Sequence, residues 1–285
     1  MFSLDAPAPR TRPRPPWLRA LGRHDPPETL TIAGERFRCR EHFKHDAFAA
    51  TAVYVGQNPT DTVVVKFGRT ASAFGVPLSW LGAHLCHKER DVHRRLRGIA
   101  AVPEALDAPE TSSRACRHTL VRRYVPGDTL RDTDPDRLAD DFFADLGALL
   151  AEVHARGVAV MDLNKAENVL VDEAGQPHLI DFQLSVRRRG WTLFPGARWW
   201  LGVLQGCDRF YVAKHFSRAQ PETFRQTHGD LDAMRPALTR GWRVISRFPR
   251  TLRRRLLVSL KIRRGKGTAE TETAGAPRRR EAHGL

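Results

Sequence analysis

Five residues in four separated stretches carry most of the chemistry this sequence offers: Lys66 in VVVKF, Glu89 in HKERDVHRRL, Asp162 and Asn168 in MDLNKAENVLV, and Asp181 in HLIDFQLS. Asp162 and Asp181 each follow an apolar run, VAVM and HLI. Charges are rarely buried without a partner, so a carboxylate at the end of such a run points to acid–base or cation-binding chemistry rather than to packing. Asn168 reads either as a turn cap or as a ligand in the same loop. Lys66 alone would be a solvated strand residue, and the separate carboxylates make it a candidate. Glu89 lies in a charged stretch where most acids face water, so two readings stay open: a partner for Lys66 or a solvated side chain.

The elements that must position these residues are partly legible. Thr51–Val55 and Thr62–Phe67, rich in β-branched residues, flank Gly56-Gln57-Asn58-Pro59 and read as a hairpin that carries Lys66. His87–Leu96, which ends before Gly98, reads as a short surface helix with Val92 and Leu96 on its narrow apolar face. Thr119–Val125 suits a strand running into Pro126-Gly127. Asp134-Pro135 is an N-cap and first-turn pair, and Leu138, Phe142, Leu146, Leu149 and Val153 recur at helical spacing until Gly157. Short strands then follow at Val158–Leu163, Asn168–Val171 and His178–Phe182, with polar residues at their ends.

Composition sets the outer bounds. The chain has 285 residues, 41% of them hydrophobic, enough for a large two-lobed domain, and a formal net charge of +15 that implies an anionic partner. The four cysteines, Cys39, Cys86, Cys116 and Cys207, are widely spaced, which excludes a disulfide scaffold or a CxxC zinc site. The first residues, MFSLDAPAPRTRPRPPW, lack the apolar run of a secretory signal, and no apolar stretch is long enough to span a bilayer as a helix. A cytoplasmic protein is expected, either soluble or peripheral at the inner membrane.

In order and type, the five residues resemble the signature of the protein-kinase-like superfamily: a strand lysine, a helix glutamate, a catalytic-loop Asp and Asn, and the Asp of Asp-Phe-Gly. The likeness runs roughly from Phe43 to Ser185. It implies an α+β, two-lobed protein-kinase-like fold with a small β-rich N-lobe and a larger helical C-lobe. It further implies that Lys66 contacts the ATP phosphates and pairs with Glu89, that Asp162 accepts the proton of the acceptor hydroxyl, and that Asn168 and Asp181 bind Mg²⁺. Within the superfamily, GVAVMDLNKAENVLVDEAGQPHLIDFQLS looks closest to the bacterial lipopolysaccharide kinases of the Kdo and heptose type, with RIO-type kinases next.

The sequence departs from the family pattern at several points. KHDAFAATAVYVG holds no glycine-rich loop, so a phosphate cover needs other backbone geometry, or Lys44 and His45. Val160 and Met161 replace the His and Arg of the catalytic triplet, which favours a constitutive enzyme. Five residues, not four, separate Asp162 from Asn168, and this leaves Glu167 as a rival metal ligand. Gln183 replaces the glycine after Asp-Phe, and no Ala-Pro-Glu segment follows.

These readings give an expected organisation: a disordered Pro/Arg-rich arm at 1–28, an N-lobe at 29–122, a C-lobe at 123–235, a basic amphipathic segment at 236–265 and a disordered tail at 266–285. Arg240–Lys266 carries eleven Lys or Arg and no acid, and suits either an anionic membrane surface or a final helix with its arginines in water. The expected function is transfer of the ATP γ-phosphate to a hydroxyl, with ATP and Mg²⁺ as cofactors. The acceptor implied by the resemblance is a lipopolysaccharide-type glycolipid at the inner membrane face. A Ser/Thr protein kinase of the RIO-like kind, with a protein acceptor, is the alternative, and a catalytically silent binding module is the third reading. No nucleic-acid recognition module is evident.

Overall fold

The structure, a computed structural model, describes residues 15–58, 60–73, 75–106, 109, 118–188 and 195–236. A six-stranded antiparallel sheet, ordered β1-β2-β3-β4-β6-β5, builds the N-lobe from β1 (Thr29–Ile32), β2 (Glu35–His45), β3 (Ala49–Val55), β4 (Thr62–Gly68), β5 (Ala105–Leu106) and β6 (Thr119–Arg123). The two-residue period of β3 and β4 sorts their side chains. Ala50, Ala52, Tyr54, Val63, Val65 and Phe67 turn to one face and close an apolar layer with Leu30, Ile32, Phe37 and Val121. Lys66 pairs with Thr51, and Val64 with Arg122, on the opposite face.

Helix α1 (Ser79–Arg95) packs against β4 and β6. It comes close because two glycines meet there: a Cβ at Gly82 would lie 2.1 Å from Arg69 O, and one at Gly68 would lie 2.8 Å from Gly82 O. The far end of α1 enters a different layer. Val92 and Leu96 join Ile99 and Val102 in the larger core, with Phe142, Leu146, Leu150 and Val153 of α2 (Phe142–Ala155). Each such side chain, fully buried, contributes about 1.5–3 kcal/mol.

Around that core, β7 (Gly127–Thr129), β9 (Val169–Asp172) and β10 (Pro177–Leu179) form a small sheet, and β8 (Val158–Ala159) pairs with β11 (Val186–Arg187). Helices α3 (Pro195–Ala219) and α4 (Pro221–His228) complete the described C-lobe. The molecule therefore has the expected α+β, two-lobed kinase-like architecture.

Several elements differ from the sequence reading. Helix α1 begins at Ser79, well before His87; no side chain caps its first turn, so the start carries no sequence signal. Asp134 does cap, but it caps a single 3-10 turn at Pro135–Arg137, and α2 starts only at Phe142. β2 has no strand signature in the sequence because two bulges break its alternation. The arm expected to be disordered is structured from Pro15 on: Pro16–Leu18 form a 3-10 turn and Ala20 is fully buried. Residues 1–14, the Arg240–Lys266 segment and the tail from 266 lie outside the described residues.

Candidate active site

Between the lobes, Lys66 joins two carboxylates. Its Nζ lies 2.8 Å from Glu89 Oε2 and 2.7 Å from Asp181 Oδ1. Glu89 is 2% exposed, so of its two open readings the geometry favours the partner of Lys66. Burial by itself would lower the Lys66 pKa, but the charges of Asp181 and Glu89 outweigh it and raise the group well above its usual range. Burial would likewise raise Asp181, yet the Lys66 charge and hydrogen bond, with Lys44 and Lys165 farther out, hold its carboxyl far below the ordinary value. Glu89 is the exception, because burial outweighs Lys66 and its pKa is raised. In direct contact, Lys66 thus serves two carboxylates.

Asp162 follows Met161, whose φ is +70°, an unusual backbone state for a side chain of that kind. Asp208 on α3 receives the amides at this point. This fully buried carboxylate accepts from Val160 N at 2.7 Å and Met161 N at 2.8 Å, and lies 3.1 Å from His154 Nε2. His215 Nε2 further anchors the loop at Leu163 O, 2.7 Å away. Sequence reasoning missed Asp208, although an acid inside VLQGCDRFYV was a signal that a partner exists.

Asn168 Nδ2 donates to Asp162 O at 3.0 Å, which ties the two ends of the loop together despite the extra residue. Its rival Glu167 is paired with Arg131 at 2.5 Å. Lys165 contacts Asp162 Oδ2. Glu167, Asn168 and Asp181 line an interlobe cleft of about 430 Å³ with Lys66, Glu89 and Lys44. Val64, Tyr124, Val125, Leu170 and Ile180 add an apolar slot to it, while Asp162 lies outside this lining. Arg122, read from the sequence only as a strand charge, also lines the cleft, and its Nη1 is buried without a hydrogen-bond partner.

Behind Glu89, one helical turn on, His93 meets Phe182 edge to face at 5.2 Å, and its Nδ1 lies 3.1 Å from Pro103 O. Burial, then the Arg122 and Lys66 charges, push its imidazole down to about 4. A folded-state pKa depressed below the ordinary 6.5 means that the unfolded chain takes up this proton first as pH falls. Stability from this group is therefore present above pH 6.5 and is lost on the way down to about pH 4, by roughly 3 kcal/mol in all. Urea midpoints across that range are expected to fall less steeply in His93→Leu than in wild type.

The family profile described as Phosphotransferase enzyme family (APH) matches residues 46–167. That stretch holds Lys66, Glu89 and Asp162 and stops one residue before Asn168. Over 115 residues the chain is 33% identical to a Streptomyces coelicolor protein named Probable SapB synthase, and over 77 residues 39% identical to maternal embryonic leucine zipper kinase of Xenopus tropicalis. The matches cover 34% and 25% of this chain but only 12% of each relative's own length. The Rio2 kinase from Chaetomium thermophilum, solved as an ADP/Mg²⁺-phosphoaspartate complex, superposes with a TM-score of 0.47 at 20% identity, over 69% of this chain and 64% of that one. The chain thus has a two-lobed fold that resembles the protein-kinase-like type, and its phosphotransferase profile match spans 122 of 285 residues.

Proposed function

We propose that this chain is an ATP-dependent kinase that moves the γ-phosphate to an acceptor hydroxyl. The observation that carries the reading is Lys66 Nζ bridging Glu89 and Asp181 at 2.8 and 2.7 Å inside an interlobe cleft. Asp181 Oδ2 and Asn168 Oδ1 have no protein partner among the described residues, and two hard oxygen donors suit Mg²⁺, which normally completes its shell with water and phosphate. Among the described residues no group of three His, Cys, Asp or Glu could cage a metal by itself. A bound Mg²⁺ would neutralise charge on the phosphates. Lys66 holds a phosphate oxygen, Asp162 takes the hydroxyl proton, and the apolar slot takes the base.

For the acceptor we keep the lipopolysaccharide-type sugar at an anionic membrane face. The resemblance in the catalytic loop, the net charge of +15 and the exposed Trp199 and Trp200 support it. No helix among the described residues is long and apolar enough to cross a membrane. A protein acceptor is the second reading, favoured by the identity to the leucine zipper kinase.

The test is transfer of labelled γ-phosphate from Mg-ATP, with glycolipid precursors and generic proteins offered side by side. Label in the glycolipid supports the first acceptor and label in protein the second. Asp181→Ala is expected to abolish both the label and Mg²⁺-dependent nucleotide binding. Normal Mg²⁺-dependent binding by that variant would remove Asp181 from the site.

A further inference from the structure

The turn from β2 to β3 sits over the cleft without a glycine, and it is pinned. Resting on the reading that the cleft takes Mg-ATP, we propose that Lys44 is a phosphate-binding residue, aimed into the cleft by a β-bulge at Phe43 and held there by Arg69 as a positioning residue.

The aim comes from the register. Pairing passes from His42–Ala52 to Lys44–Thr51, so Phe43 is the extra residue on β2. Strict alternation would send Phe43 and Lys44 to opposite faces, whereas a bulge re-aims a side chain. Both residues line the cleft, together with Asp46 and Ala49.

The hold comes from three sources. Asp46 Oδ1 accepts from Phe48 N at 2.7 Å and Ala49 N at 2.9 Å, which closes the turn on itself. Asp46 O accepts from Ala20 N at 2.7 Å, which ties the turn to the N-terminal segment. Arg69, 3% exposed, donates from Nη1 to Ala47 O at 2.6 Å, from Nη2 to Trp17 O at 2.8 Å and Ser72 O at 3.1 Å, and from Nε to Ala71 O at 2.8 Å. Only a planar guanidinium can satisfy four carbonyls spread over three segments, and a lysine cannot. His45, the other residue considered for a phosphate cover, is taken up elsewhere: its Nδ1 lies 2.9 Å from Arg19 Nη2, and its Nε2 accepts from Leu21 N at 3.2 Å.

Lys44 is free to change partner. Its Nζ lies 2.7 Å from Asp46 Oδ2, but the side chain is about half exposed, and exposed pairs of this kind are weak. When Lys44 leaves, Asp46 keeps both backbone donors and is not stranded. The Lys44 charge is already felt at Asp181, where the phosphates would sit.

The experiment is calorimetric binding of Mg-ATP and of adenosine to the full chain. Lys44→Met is expected to weaken Mg-ATP about tenfold, the scale of one charge-assisted hydrogen bond, with adenosine unchanged. Lys44→Arg is expected to recover most of the loss. Arg69→Lys is expected to lower Mg-ATP affinity in wild type but to add nothing in the Lys44→Met background. Equal weakening of ATP and adenosine by Lys44→Met, or no weakening at all, overturns the role of Lys44. An additive loss in the double variant overturns that of Arg69. If wild type binds no Mg-ATP, the kinase reading itself falls; if wild type binds and Lys44→Met binds equally well, only this inference does.

Discussion

Asp162→Asn is expected to slow phosphoryl transfer by about a hundred- to ten-thousandfold while nucleotide affinity stays near wild type. The change keeps the side-chain shape and removes the negative charge and, with it, the ability to take a proton. Its neighbours tolerate it: Asn168 Nδ2 bonds to the backbone oxygen of Asp162 and not to its carboxylate, and Lys165 is exposed and can turn to water. The readout is single-turnover transfer beside equilibrium binding of Mg-ATP. An Asp162→Asn protein with wild-type turnover would take the catalytic role away from this residue.

Asp208→Ala has the largest expected effect on stability, a loss of about 3–5 kcal/mol. The fully buried carboxylate answers two backbone N–H groups and His154, and alanine leaves all three without an acceptor in the interior. Domains of this kind are stable by only about 5–15 kcal/mol, so the variant should unfold at much lower urea. Its folded fraction should also transfer phosphate slowly, because the Met161 amide just before Asp162 loses its acceptor. Asp208→Asn, which retains one acceptor oxygen, should fall between the two. An unchanged urea midpoint in Asp208→Ala would show that the loop keeps its shape without this anchor.

The parts of the site that were legible in sequence are those with a local signature. Asp162 and Asp181 stand where apolar runs end, and beside them Lys66, in its β-branched strand, becomes a candidate. What stayed hidden depends on residues far apart in the chain. Glu89 looked like one acid among many until Lys66, 23 positions away, closed on it. Asp208 binds amides 47 and 48 residues earlier, a separation that no spacing rule reaches. The N-terminal arm differs from expectation for a related reason: Pro and Arg content suggests disorder, but Trp17 and Ala20 supply backbone groups that Arg69 and Asp46 need. β2 was lost to its bulges, and the same irregularity is what aims Lys44.

The two glycines that let α1 touch β4 also fix where Glu89 stands. With Gly82 seated on Arg69 at one end and Val92 and Leu96 sunk in the larger core at the other, the helix is keyed to both lobes. Glu89 is therefore delivered to Lys66 by packing remote from the cleft, so bulk added at either glycine reaches the ion pair without touching it: a Cβ there would have to displace α1, and with it the carboxylate that Lys66 binds.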